Sequence, residues 1–191
     1  MSVYKVALLA GTMGENREGL RVLQFAKNQI IQRGWQPMVA DAGVYDLPML
    51  SEVYRFMKDP DPRLTEIHEL FTEADGFIVI TAEYNHSVPP ALKNMLDYFR
   101  EEYFFKPSGI ISYSSGPFGG VRGAEQLRLI LSELKTPPIP TSLPISRVHE
   151  SILADGSSVN GDYERRGKKF FNEFGWYMEA LAEQRKKGKP Y

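Results

Sequence analysis

The sequence contains no cysteine, which excludes disulfides, thiolate catalysis and cysteine-ligated metals. Its three histidines, His68, His86 and His149, are scattered and lack the i,i+4 spacing that places two imidazoles on one helix face, so no metal site is expected. No apolar run approaches the roughly 20 residues needed to cross a bilayer, and no membrane helix is expected. An excess of either charge is also missing: 23 basic against 24 acidic side chains leave a net charge of -1, without the basic footprint of a nucleic-acid binder. Met1 to Lys5 runs directly into a strand pattern without the layout of a secretory signal; with no cysteine to demand an oxidising compartment, cytoplasm is the expected location. There is no internal repeat and no linker. A chain of 191 residues is long enough for one well-buried core, expected over residues 1–184, followed by a basic, solvated tail at 185–191.

The most informative stretch is Tyr4 to Val22, YKVALLAGTMGENREGLRV. An apolar run, Val6 to Ala10, stops at Gly11-Thr12, passes a polar turn containing Gly14, Glu15 and Asn16, and resumes at Gly19 with helical spacing. Strand, tight loop and helix in this order place the unpaired N–H groups of a helix start beyond the carboxyl end of a strand, where an anion meets several donors and the positive end of the helix dipole. Thr12 adds a hydroxyl and Arg17 a cation. Gly14 and Gly19 have Walker-loop spacing, yet Leu20-Arg21 stands where Lys-Ser/Thr must reach phosphate and magnesium. The dinucleotide fingerprint G-x-G-x-x-G is absent because Gly11 is followed by Thr12-Met13-Gly14, and the acidic residues of a response-regulator metal site are absent too. Two readings remain: a hydroxyl-and-backbone cup for a monophosphate, as flavin mononucleotide carries, or an ordinary strand–helix turn.

Val22, Ala26 and Ile30, with Leu23 and Ile31 beside them, give the first helix an apolar face that Gly34 ends. Gln36 to Ala42 reads as a second strand. Residues 45–62 are irregular and proline-containing, yet carry Met49, Tyr54, Phe56 and Met57, which either pack on the domain or form a subunit contact or ligand wall. Asp61-Pro62 is a helix start, and Leu64, Ile67 and Phe71 form the buried stripe behind it. Gly76 to Thr81 is a continuous apolar run, the mark of a strand covered on both faces. A polar loop with Glu83, Tyr84, Asn85 and His86 follows at once, and prolines then open a helix through Leu92, Met95, Leu96 and Phe99. A fourth strand opens at Lys106-Pro107 and ends in a loop of small residues, Ser112 to Gly120, before a helix carrying Leu127, Ile130, Leu131 and Leu134. Thr136 to Val148, with four prolines, allows only a broken edge strand, and Phe170, Phe174, Tyr177 and Leu181 mark a last amphipathic helix.

Taken together, the three loops resemble those of the NAD(P)H-dependent FMN reductase family of flavodoxin-like proteins, which includes quinone, azo-dye and chromate reductases. The resemblance runs from about Val6 to Leu134 and is strongest in EYNHSVPPALKNMLDYF, Glu83 to Phe99, with Ala82 in place of the family's proline. It implies a three-layer α/β/α fold around a five-stranded parallel sheet in the order 2-1-3-4-5. By position, the family's phosphate loop falls on Thr12, Met13, Glu15, Asn16, Arg17, Gly19 and Leu20, with Gly14 replacing an arginine common in the family. The isoalloxazine loop falls on Glu83, Tyr84, Asn85 and His86, and the loop near the pyrimidine end on Ser114, Ser115, Gly116, Gly119 and Gly120. The resemblance further implies ping-pong hydride transfer from NADPH or NADH through FMN to a small-molecule acceptor such as a quinone, a free flavin or an azo compound. No side chain is assigned as acid or base, since the flavin carries the hydride. A homodimer or dimer of dimers is implied as well, with residues 45–57 and the helix from Pro90 as contact surfaces. A flavodoxin-type electron carrier and a flavin-dependent regulatory binding protein are the alternatives; the near-neutral charge argues against the carrier, whose docking surfaces tend to be strongly acidic.

Overall fold

A computed structural model describes residues 3–191. Five strands, β1 (Lys5–Ala10), β2 (Gln36–Asp41), β3 (Gly76–Ala82), β4 (Ser108–Tyr113) and β5 (Leu143–Ile145), form one sheet in the order β2-β1-β3-β4-β5 with every pairing parallel. The helices are α1 (Gly19–Gln32), α2 (Ala42–Tyr45), α3 (Pro62–Glu73), α4 (Pro90–Asp97), α5 (Val121–Glu133), α6 (Val148–Ser151) and α7 (Asp162–Lys186). This is the flavodoxin-like three-layer order that the resemblance implied.

Alternation along the strands divides the core in two. Val6, Leu8, Ile78, Ile80 and Ile111 face α1 and α7, where they meet Val22, Ile30, Phe170 and Phe174. Ala7, Leu9, Phe77, Val79 and Ile110 face α3, α4 and α5, against Leu64, Phe71, Leu96 and Leu131. With both faces covered, every residue of β3 is buried, as its unbroken apolar run required. Close approach of α7 depends on Gly109, where an added Cβ would lie 2.7 Å from the Phe170 ring.

Asp61 caps α3 by accepting the Arg63 N–H at 2.9 Å, with Pro62 in the first turn. Ile31, expected on the buried stripe, is exposed, and Phe25 and Gln29 take its place among the buried residues of α1. At 100° per residue, Ile31 falls past the edge of the arc defined by Val22, Ala26 and Ile30. The second strand ends at Asp41, because Asp41 accepts the Gly43 N–H at 2.9 Å and starts α2. Tyr54 and Met57 pack against the core, whereas Met49 and Phe56 remain exposed. Helix α7 runs into the basic segment, and Arg185 donates to Phe105 O at 2.9 Å and to Asp75 Oδ1 at 3.3 Å. Tyr191 packs on Phe104 and Phe105, so part of the segment expected to be solvated lies against the domain.

Candidate functional site

The register aligns Ala10, Ile80 and Ile111 across three adjacent strands, so the loops after β1, β3 and β4 leave from one edge of the sheet. Helix α1 packs on one face and α4 on the other, which opens a crevice between β1 and β3 at the strand-order reversal.

The first loop carries a row of free donors. Among the described residues, no backbone N–H from Thr12 to Gly19 donates to a protein acceptor, and α1 has neither a side-chain cap nor an acidic residue in its first turn. Met13, Gly14, Glu15, Asn16 and Leu20 are exposed, while Thr12 and Gly19 are buried. Such donors fit a dianion, which gains from each N–H and from the helix dipole. The Arg17 cation, by contrast, is already matched. Its Nη2 meets Asp41 Oδ2 at 2.5 Å and its Nη1 donates to Gly14 O at 2.6 Å, with the two side chains 11% and 7% exposed. Of the three Arg17 guanidinium nitrogens, Nε is buried without an acceptor among the described residues. Arg17 therefore braces the loop through a residue 24 positions away, which the sequence reading did not anticipate.

The second loop is a two-residue turn. Tyr84 and Ser87 exchange backbone hydrogen bonds of 2.9 and 3.0 Å, and Asn85 and His86 take positive φ values of 51° and 65°. Positive φ at both central positions defines a type I′ turn, which Asn tolerates and His adopts at a cost. Among the described residues the Asn85 and His86 N–H groups have no protein acceptor, and Tyr84, Asn85 and His86 are all exposed. Glu83 is committed elsewhere: its Oε2 accepts the Arg122 and Gly123 N–H groups at 2.9 and 3.1 Å, capping α5. It thereby ties the second loop to the helix that follows the third.

In the third loop, Ser114 Oγ accepts the Gly119 N–H at 3.0 Å and donates to Gly116 O at 3.1 Å. Gly119 and Gly120 are buried at positive φ, where they turn the chain into α5. These two glycines and Ser114 shape the loop, and Ser115, Gly116 and Phe118 present its exposed surface. Phe118 lies under the Arg122 guanidinium, 4.9 Å from the ring centre. The cavities near Tyr4 and Lys186, near His68 and Lys106, and near Leu50 and Glu133 include no residue of the three loops, whereas a small one, about 50 Å³, is lined by Met13 of the first loop with Leu47 and Asn94.

One residue to which the sequence reading gave no role joins the first loop to the third. Tyr113, the last residue of β4, lies 3.1 Å through its hydroxyl from Thr12 Oγ. Burial pushes its phenol up to about 12, against a smaller opposing effect of the Thr12 hydrogen bond. Its signal in the sequence is slight, a polar-tipped aromatic at the end of a buried strand.

Residues 4–150 match the NADPH-dependent FMN reductase family profile. A relative named as an NADH:(hydroxy)cinnamate reductase subunit of Vibrio ruber is 31% identical over 182 residues, covering 92% of this chain and 87% of its own. A quinone reductase of Pseudomonas putida is 26% identical and covers 87% of this chain and 84% of its own. An NAD(P)H-dependent FMN reductase of Schizosaccharomyces pombe is 34% identical over 59% of this chain, the match spanning 56% of that protein. Among solved structures, the NAD(P)H:acceptor oxidoreductase FerB of Paracoccus denitrificans superposes with a TM-score of 0.71 at 19% identity, covering 95% of this chain and 98% of its own, a likeness of fold.

Proposed function

This chain belongs to the NADPH-dependent FMN reductase family of flavin oxidoreductases, and on that premise we propose an enzyme that passes electrons from NAD(P)H to quinones, free flavins, azo compounds or similar planar acceptors in two half-reactions sharing one open site. Bound FMN supplies the hydride chemistry, and the protein supplies position and electrostatics. The observation that carries the reading is the run of N–H groups from Thr12 to Gly19, unpaired among the described residues, at the uncapped start of α1. These donors hold the phosphate, and the Arg17–Asp41 pair keeps the loop in shape. The exposed Tyr84, Asn85 and His86, with the N–H groups of the last two unpaired among the described residues, would hold the ring system. Ser115 and Gly116 would border its polar end, and their N–H groups, which have no protein acceptor among the described residues, would stabilise negative charge there without reorganising. Glu83 acts by fixing the second loop against α5. An open crevice would leave a bound ring accessible to donor and acceptor in turn, which supports ping-pong kinetics.

The working enzyme is proposed to be a cytoplasmic homodimer or dimer of dimers, with the exposed Val44, Met49 and Phe56 in the contact. A monomeric mass in sedimentation at micromolar concentration would remove that assembly. The decisive test is anaerobic visible spectroscopy of the FMN-reconstituted protein with NADPH or NADH in separate cuvettes. Bleaching within seconds and recovery on adding a quinone are expected; flavin that stays oxidised with both donors would point to a carrier or regulatory protein instead.

A further inference from the structure

Thr12 Oγ and Tyr113 Oη are 3.1 Å apart, both residues are buried, and each hydroxyl has only the other as a partner among the described residues. Two hydroxyls bring two protons to one hydrogen bond. One proton lies between the oxygens; the other has no acceptor on the protein, in a fold where buried donors are nearly always paired. A phenol is a stronger acid than an aliphatic alcohol, so Tyr113 donates and the Thr12 proton is left over. It is left beside the same loop whose N–H groups from Thr12 to Gly19 also lack acceptors.

The packing around this pair allows no side chain at residue 19. A Cβ on Gly19 would fall 2.5 Å from Tyr113 Oη and 2.8 Å from Thr12 Oγ. Glycine at the first position of α1 thus lets a side chain from β4 pass beneath the helix start and reach a residue 101 positions earlier in the chain.

We propose that Tyr113 is a positioning residue for the phosphate of the flavin: by donating to Thr12 Oγ it orients the threonine hydroxyl as one more donor to the anion held on the first loop. The inference rests on the FMN reading above and adds a residue that does not itself touch the ligand. It acts through Thr12 alone, so its removal affects only the phosphate-bearing end. A residue needed merely for packing would affect any flavin.

The test uses fluorescence titration of the apo full-length protein with FMN and, separately, with riboflavin, which lacks the phosphate. Tyr113→Phe is expected to weaken FMN binding about tenfold, the scale of one hydrogen bond to a charged group, and to leave riboflavin binding unchanged. Thr12→Val is expected to have the same selectivity, Thr12→Ser to retain FMN affinity, and Tyr113→Phe added to Thr12→Val to cause no further loss. Equal losses for FMN and riboflavin, or losses that multiply in the double variant, overturn the role of Tyr113 while leaving the FMN reading in place. If the unaltered protein binds neither flavin, the FMN reading falls and the inference with it.

Discussion

Replacing Glu83 tests whether the site is assembled by a helix cap. Helix α5 is preceded by Gly120, which offers no side-chain cap, and the acceptor for its first N–H groups comes from 39 and 40 residues earlier in the chain. Loss of a cap costs about 0.5–2 kcal/mol, and loss of a negative charge at a helix N-terminus about 0.3–1 kcal/mol more. The Arg122–Glu83 ion pair, 3.6 Å long with the Arg122 side chain 45% exposed, adds little. Glu83→Ala should therefore lose about 2 kcal/mol. At about 2–4 °C per kcal/mol for a domain of this size, its melting temperature should fall by roughly 4–8 °C. Glu83→Gln keeps an acceptor oxygen but no charge and should lose about 0.5–1 kcal/mol. Urea denaturation of the flavin-free proteins measures both values. FMN titration should show weaker binding in the same order, because the second and third loops are no longer held together. An alanine variant within about 0.5 kcal/mol of the parent would refute the capping argument.

Three further outcomes follow from the geometry. Arg17→Ala leaves Asp41 buried without its cation and should cost about 3–5 kcal/mol in denaturant unfolding, whereas replacing both partners by apolar residues should recover that loss less about 0.5–2 kcal/mol for the Asp41 cap on α2. His86→Val forces a β-branched residue into the left-handed region and should cost about 1–2 kcal/mol by thermal melting, while His86→Gly should stay within about 0.5 kcal/mol of the parent. Lys106 donates to Phe71 O and Thr72 O at the end of α3, and desolvation, with Arg185 and Lys189 nearby, lowers its pKa from 10.5 to about 7. Between those values the unfolded chain binds the proton that the folded chain has released, so stability relative to Lys106→Met should rise with pH across that window, by at most about 1.4 kcal/mol per pH unit, and be lost as pH falls toward 7. Parallel unfolding curves for the two proteins at pH 7, 8 and 9, with no change in their difference, would count against this account.

What the sequence determined by itself is local: periods, caps and breaks. The unbroken run from Gly76 required a strand covered on both faces, Asp61-Pro62 required a helix start, and the polar loops after three strands had to gather at one edge once those strands were parallel. The motif from Glu83 to Phe99 then marked the family before any geometry was known. What the tertiary structure decided is the partner of each polar side chain. Arg17 turned to Asp41, Glu83 to the start of α5 and Tyr113 to Thr12, and each partner is supplied by another segment of the chain. Residue spacing records what one helix or strand imposes on itself, whereas a buried charge or hydroxyl takes the nearest group able to satisfy it, and sheet order decides which group that is. The same reason explains Arg185, expected in a solvated tail yet hydrogen-bonded to Phe105 and Asp75: a long helix returning across the sheet brought carbonyl and carboxylate oxygens within its reach.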